Sequence, residues 1–126
     1  MKKEILVWIL RITVSVILLQ TLYFKFSGAE ESIYIFSTLG IEPYGRIGSG
    51  IIELILAILI LTPKTTWIGA LGACGVMVAA ILSHLFILGI AVKNDGGTLF
   101  VLAVVTLLCS LGLLYFNKNK LFNLLN

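Results

Sequence analysis

Four apolar runs of roughly membrane-spanning length fill most of the 126-residue chain, and they constrain its fold more than any motif does. The hydrocarbon core of a bilayer is about 30 Å thick, and about 20 predominantly apolar residues cross it as an α-helix. The runs predict helices over 5–24, 46–62, 66–92 and 98–116. Composition agrees: the chain is 60% hydrophobic and 12% charged, against roughly half and a quarter in soluble domains. The expected fold is all-α, an integral membrane four-helix bundle forming one domain over 1–126, with a short amphipathic segment between helices 1 and 2. The first run follows Met-Lys-Lys-Glu but has no Ala-x-Ala cleavage pattern. It is also longer than the roughly 7–15 apolar residues of a signal peptide, so it is expected to remain a helix of the mature protein.

The connections are short. "TPKTT" (62–66) and "KNDGG" (93–97) read as tight turns between antiparallel neighbours, with Asp95 as an N-cap for helix 4. The connection "SGAEESIYIFSTLGIEPYG" (27–45) is longer. It opens with Ser27-x-x-Glu30, the pattern of a capping box, and carries an apolar cluster of Ile33, Tyr34, Ile35, Phe36 and Leu39 before Gly40 and Pro43 end it. Two placements suit such a helix: flat on the membrane surface, or folded over the mouth of the bundle.

The net charge of +3 does not point to nucleic acid, because the basic residues sit at the ends of the apolar runs. There they report topology. With the N-terminus inside, Lys2, Lys3, Lys64, Lys118 and Lys120 lie inside, and Lys25, Arg46 and Lys93 lie outside. This balance predicts a multi-pass protein with both termini cytoplasmic; the expected membrane is a bacterial inner membrane.

Charged groups facing lipid are costly, so Arg11, Gln20, Glu53 and His84 draw attention. At 1.5 Å per residue, Gln20, Glu53 and His84 lie about 6, 10 and 12 Å below the outer surface. Lys25 and Arg46 stand just above them. Residues three and four apart share a helix face. Arg46, Ser49, Gly50, Glu53 and Ala57 form one such face, and Gly69, Ala73, Ala80 and His84 another. Small residues mark close helix packing in membranes. Glu53 and His84 are therefore candidates for a buried acid–base pair, with Gln20, Lys25 and Arg46 as substrate-binding neighbours. Such a pair suits proton transfer or the polar head group of a quinone. A Glu–His or Glu–Arg hydrogen bond that only fixes helix register accounts for the same pattern. One His and one Glu do not make a metal site, since a catalytic zinc usually has three protein ligands. Arg11, about 9 Å from the inner surface, either snorkels or turns inward with Ser15 and Lys25. Cys74 and Cys109 fall in the inner half, away from the outer polar group, where buried cysteine commonly behaves as a small hydrophobe.

The order of these features resembles the DoxX family, including its MauE-type members. "LRITVSVILLQTLYFKFSG" carries an early Arg and a Lys-x-x-Gly in Arg11, Lys25 and Gly28. "GRIGSGIIELILAILIL" resembles the family's segment with an embedded Glu, here Glu53. "GVMVAAILSHLFILGI" resembles its small-residue segment leading to a His, here Ser83 and His84, and "NDGGTLFVLAVV" its entrance to the fourth helix. The resemblance implies a four-helix membrane bundle linked to redox chemistry, as an accessory or quinone-linked subunit beside a membrane or periplasmic oxidoreductase; a homo-oligomer is left open by the sequence. A proton-coupled small-molecule transporter and a non-catalytic scaffold or assembly factor stand as alternatives. Small multidrug transporters share four helices and a buried Glu, but theirs lies in the first helix, where this chain carries Arg11.

Overall fold

A computed structural model of the chain describes residues 2–91 and 96–118. The described residues form α1 (Lys2–Ser27), α2 (Glu30–Thr38), α3 (Tyr44–Leu61), α4 (Thr66–Ser83), one π-helical turn (His84–Leu88) and α5 (Thr98–Phe116), with no strand among them. α1, α3, α4 with its π turn, and α5 are each long and apolar enough to cross a membrane. At 1.5 Å per residue, α1 is about 39 Å long and exceeds the roughly 30 Å hydrocarbon core.

Glycines in the left-handed region punctuate these helices. Gly28 (φ 71°) follows α1, Gly40 (φ 80°) follows α2, and Gly89 (φ 83°) follows the π turn. A side chain at such a φ meets its own backbone, so glycine is the low-cost residue there. Helix α1 carries Glu4 in its first turn and Lys25 in its last, the arrangement that complements the helix dipole.

Two expectations from the sequence need correction. Ser27 is the last residue of α1, so it does not open a capping box. Instead Gly28 makes the break, and the N-cap of α2 is Ala29, with no side-chain cap hydrogen bond. The third run is not one α-helix to residue 92. α-Geometry ends at Ser83, the chain widens by a π turn, and the Gly89 N–H donates to the His84 carbonyl, five residues back, at 2.7 Å. Gly89 then turns the chain away, although the apolar composition continues. Val92, Lys93, Asp95 and Lys120, which entered the helix end, the topology and the predicted cap, lie outside the described residues. Gly97 is the N-cap of α5.

The four long helices close into a ring in which α1 and α4 each touch both α3 and α5. Their shared core is Val14 and Leu18 of α1, Leu56, Ala57 and Ile60 of α3, Ala70, Ala73 and Met77 of α4, and Ala103 and Leu113 of α5. At one contact the backbones themselves meet. A Cβ built on Gly69 lies 2.9 Å from the Ile60 nitrogen and 3.0 Å from the Leu56 oxygen, so α3 and α4 approach as small residues permit in membranes. Large apolar side chains such as Ile5, Val16, Ile55 and Leu108 stand on the outside, as a lipid-facing surface requires. α2 lies across one end, against α1, α3 and the π turn. It buries Ser32 and Phe36. Of the two placements open to this segment, it takes the one over the mouth of the bundle.

Candidate functional site

The polar side chains at the α2 end form one connected group. Glu53, 2% exposed, projects from α3 on the same inward face as the buried Arg46, Gly50 and Ala57. One carboxylate oxygen accepts a hydrogen bond from Lys25 Nζ in an ion pair across the α1–α3 interface. The other oxygen lies 2.9 Å from the Thr21 hydroxyl. That hydroxyl also lies 2.7 Å from the Leu18 carbonyl. A hydroxyl has one proton to donate. With Glu53 ionised, Thr21 donates to the carboxylate. With Glu53 protonated, the carboxyl donates to Thr21, which turns its own proton to the Leu18 carbonyl. The same geometry therefore satisfies both protonation states.

Arg46, one face-repeat above Glu53, ties the mouth together. Its Nη1 donates to the Lys25 backbone carbonyl, and its Nε donates to Glu42 at 2.8 Å and 3.1 Å to the two oxygens. Gly28 lies beside this arrangement; a Cβ there would stand 3.8 Å from Arg46 Nη1, an ordinary contact. Phe36 of α2 sits over the ion pair, with Lys25 Nζ 5.6 Å from its ring centroid. The Lys25 side chain keeps 17% exposure, so the pair lies just beneath the surface of the mouth.

His84 is buried as the first residue of the π turn. Its Nδ1 lies 2.9 Å from the Gly89 carbonyl; a carbonyl only accepts, so Nδ1 carries the proton. The ring packs edge-on against Phe100, centroids 5.7 Å apart.

Among the sequence candidates, the structure thus brings Glu53, Lys25 and Arg46 together. It does not join Glu53 to His84 by a hydrogen bond, because each is engaged elsewhere: Glu53 by Lys25 and Thr21, His84 by Gly89. Gln20 does not belong to the group; it is exposed on the far side of α1. Nine residues at about 100° each put it opposite Arg11, whose face is the inward one. Sequence reasoning does not single out Thr21, and it names Phe36 only within the apolar cluster of the first connection. Thr21 neighbours Gln20, and the stripe Arg11–Ser15–Leu18–Leu22–Lys25 places Thr21 nearer the interior.

From mid-bundle towards the end where α1 begins and α5 finishes, the polar groups are less completely bonded. Arg11 Nε, Ser15 Oγ, Thr106 Oγ1 and Ser110 Oγ are buried without a hydrogen-bond partner. All four belong to α1 and α5. Cys74 and Cys109 are free, half-buried thiols.

A family profile, DoxX, matches residues 6–87, from α1 through most of the π turn and short of α5. No curated protein and no solved structure matches the chain significantly.

Proposed function

The chain belongs to the DoxX family, and from that premise we propose that it is a redox-associated membrane protein, an accessory, quinone-linked subunit beside an envelope oxidoreductase. The observation that carries this reading is Glu53, buried, ion-paired to Lys25 and hydrogen-bonded by Thr21 beneath Phe36. The donor set suits a quinone head group: Lys25 Nζ offers a charged donor to a carbonyl oxygen, and Phe36 offers an apolar face. A bound quinone supplies electron transfer coupled to proton uptake.

The chain's own residues have defined parts in this reading. Lys25 Nζ orients the head group at the mouth. Glu53 holds a proton or releases it, and Thr21 adjusts by swinging its hydroxyl between Glu53 and the Leu18 carbonyl. α2 covers the pair and leaves Lys25 partly exposed at the mouth. Lys and Arg placement supports an inner-membrane protein with the α2 end on the periplasmic side, which sets the pair towards a periplasmic partner.

Purification in a mild detergent tests the proposal, with wild type beside Glu53→Gln. Glu53→Gln removes the charge-assisted hydrogen bond that fixes Lys25 Nζ at the mouth, a bond worth about 1.5–3 kcal/mol, so quinone recovered per protein is expected to fall about tenfold or more. Co-purifying oxidoreductase subunits should fall with it. Equal quinone and equal partners in both proteins, each running as one sharp species, would defeat the assignment.

A further inference from the structure

Two grooves flank Lys3 at the termini end. One, of about 270 Å³, is lined by Lys3, Glu4, Val7, Trp8 and Arg11. The other, of about 280 Å³, is lined by Lys3, Tyr115, Phe116 and Lys118.

Arg11 is the unusual member. It is 7% exposed, and its Nε is buried without a hydrogen-bond partner. Helix side chains lean towards the N-terminus, and Arg11 does so, with Cζ 4.6 Å from the Trp8 ring centroid. A guanidinium remains charged in proteins and presents five N–H donors. The ring face attracts its charge but is no acceptor for that fork of donors. Arg11 thus reaches towards the N-terminal end of α1 and lines the first groove, the direction a snorkelling arginine takes. A phosphate matches the fork, because its oxygens accept paired N–H bonds.

The surroundings identify which phosphate. Lys3 Nζ stands 5.9 Å from the Phe116 ring and Lys118 Nζ stands 4.7 Å from the Tyr115 ring. Aromatic rings beside basic side chains at helix ends mark the headgroup level of a bilayer. Three cations, Lys3, Arg11 and Lys118, face one carboxylate, Glu4, across the two grooves. The flank of α1 beside them is apolar and outward, with Ile5, Ile9 and Ile12 exposed. Lys3 to Arg11 covers about 12 Å of helix axis, so the first groove runs from headgroup depth into the apolar layer. A free phosphate does not use that apolar flank, whereas a lipid does.

We propose that this end of the bundle is a binding site for an anionic phospholipid of the leaflet on the termini side. Its phosphodiester sits between Lys3 and Arg11, and its acyl chains run along Val7 and Trp8. The site is separate from Glu53 and stands whether or not the quinone reading does.

Trp8 fluorescence reads this site directly, in a Trp67→Phe background that leaves it the sole tryptophan. The full-length protein is reconstituted in phosphatidylcholine vesicles, and brominated phosphatidylglycerol or brominated phosphatidylcholine is titrated in. The expected result is a quenching preference for phosphatidylglycerol of about fivefold for each basic residue engaged. It should fall about fivefold in Arg11→Met, the share of one basic residue, and persist in Arg11→Lys. If Arg11→Met does not fold, Lys3→Gln/Lys118→Gln, changed at exposed positions, should reduce the preference instead. Equal quenching by both lipids, or a preference untouched by these substitutions, overturns the proposal. Displacement of the preference by inorganic phosphate at concentrations too low to screen charge assigns the site to a soluble anion and overturns the lipid.

Discussion

The ion pair between Lys25 and Glu53 supports a quantitative test by double-mutant cycle. Glu53 is 2% exposed and Lys25 is 17% exposed, so the two single substitutions should differ. Lys25→Met strips the cation from a fully enclosed carboxylate and leaves it Thr21 alone. Removing one partner of a buried pair costs about 3–5 kcal/mol. Glu53→Gln leaves Lys25, which sits near the mouth and can turn towards solvent. The cost is then nearer that of one disturbed buried hydrogen bond, about 1–3 kcal/mol. The double variant Lys25→Met/Glu53→Gln removes both charges and should be no less stable than Lys25→Met, because neutral replacement of a buried pair is often harmless. Additivity of the low estimates would put the double variant about 4 kcal/mol below wild type. A measured loss of about 1–2 kcal/mol instead gives a coupling of about 2–3 kcal/mol. The assay is reversible unfolding in mixed micelles, followed by far-ultraviolet circular dichroism, on all four proteins. Additive losses, within about 0.5 kcal/mol, would refute the claim that the two charges act as one unit.

Two further substitutions probe the scaffold. Gly69→Ala should destabilise the bundle by about 1–3 kcal/mol, because its Cβ meets backbone atoms of α3. Gly75→Ala on the same helix, where a Cβ meets nothing within 4 Å, should be neutral or stabilising by up to about 1 kcal/mol; the same unfolding assay separates them. Gly28→Ala should cost about 1–2 kcal/mol through its left-handed backbone, since its Cβ contacts are ordinary. Loosening of the α1–α2 turn would appear as faster amide hydrogen exchange in α2 with α4 unchanged.

Much of this was legible in the residues. Apolar run length located all four spans, because a bilayer imposes one length scale on every crossing helix. Three-and-four spacing assigned the inward faces of Glu53 and His84, because small residues share those faces. The same rule applied to α1 excludes Gln20, since nine residues turn it away from Arg11. What periodicity does not carry is which residue of the facing helix a side chain meets. The pairing of Glu53 with Lys25 rather than His84 depends on helix rotation and on the π turn, which ties His84 to Gly89. The π turn has no local signature in "SHLFILG" beyond the glycine that ends it. The placement of α2 over the mouth was one of two that its apolar face allowed, and contacts of Phe36 with the rest of the fold selected it.

The division of the ion pair between α1 and α3 also bears on how the chain enters a bilayer. Each helix carries half of a neutral pair. Presented alone, α3 brings an acid into lipid at a cost of about 2.5–3.5 kcal/mol at full depth, and α1 brings a cation near its end. Presented together, the charges offset one another and the cost is reduced. α1 leaves the ribosome first, so the arrangement favours a helix that waits at the insertion machinery until its counter-charge arrives. α2, already amphipathic, bridges the interval between them, and the two spans then partition as a hairpin instead of one after the other.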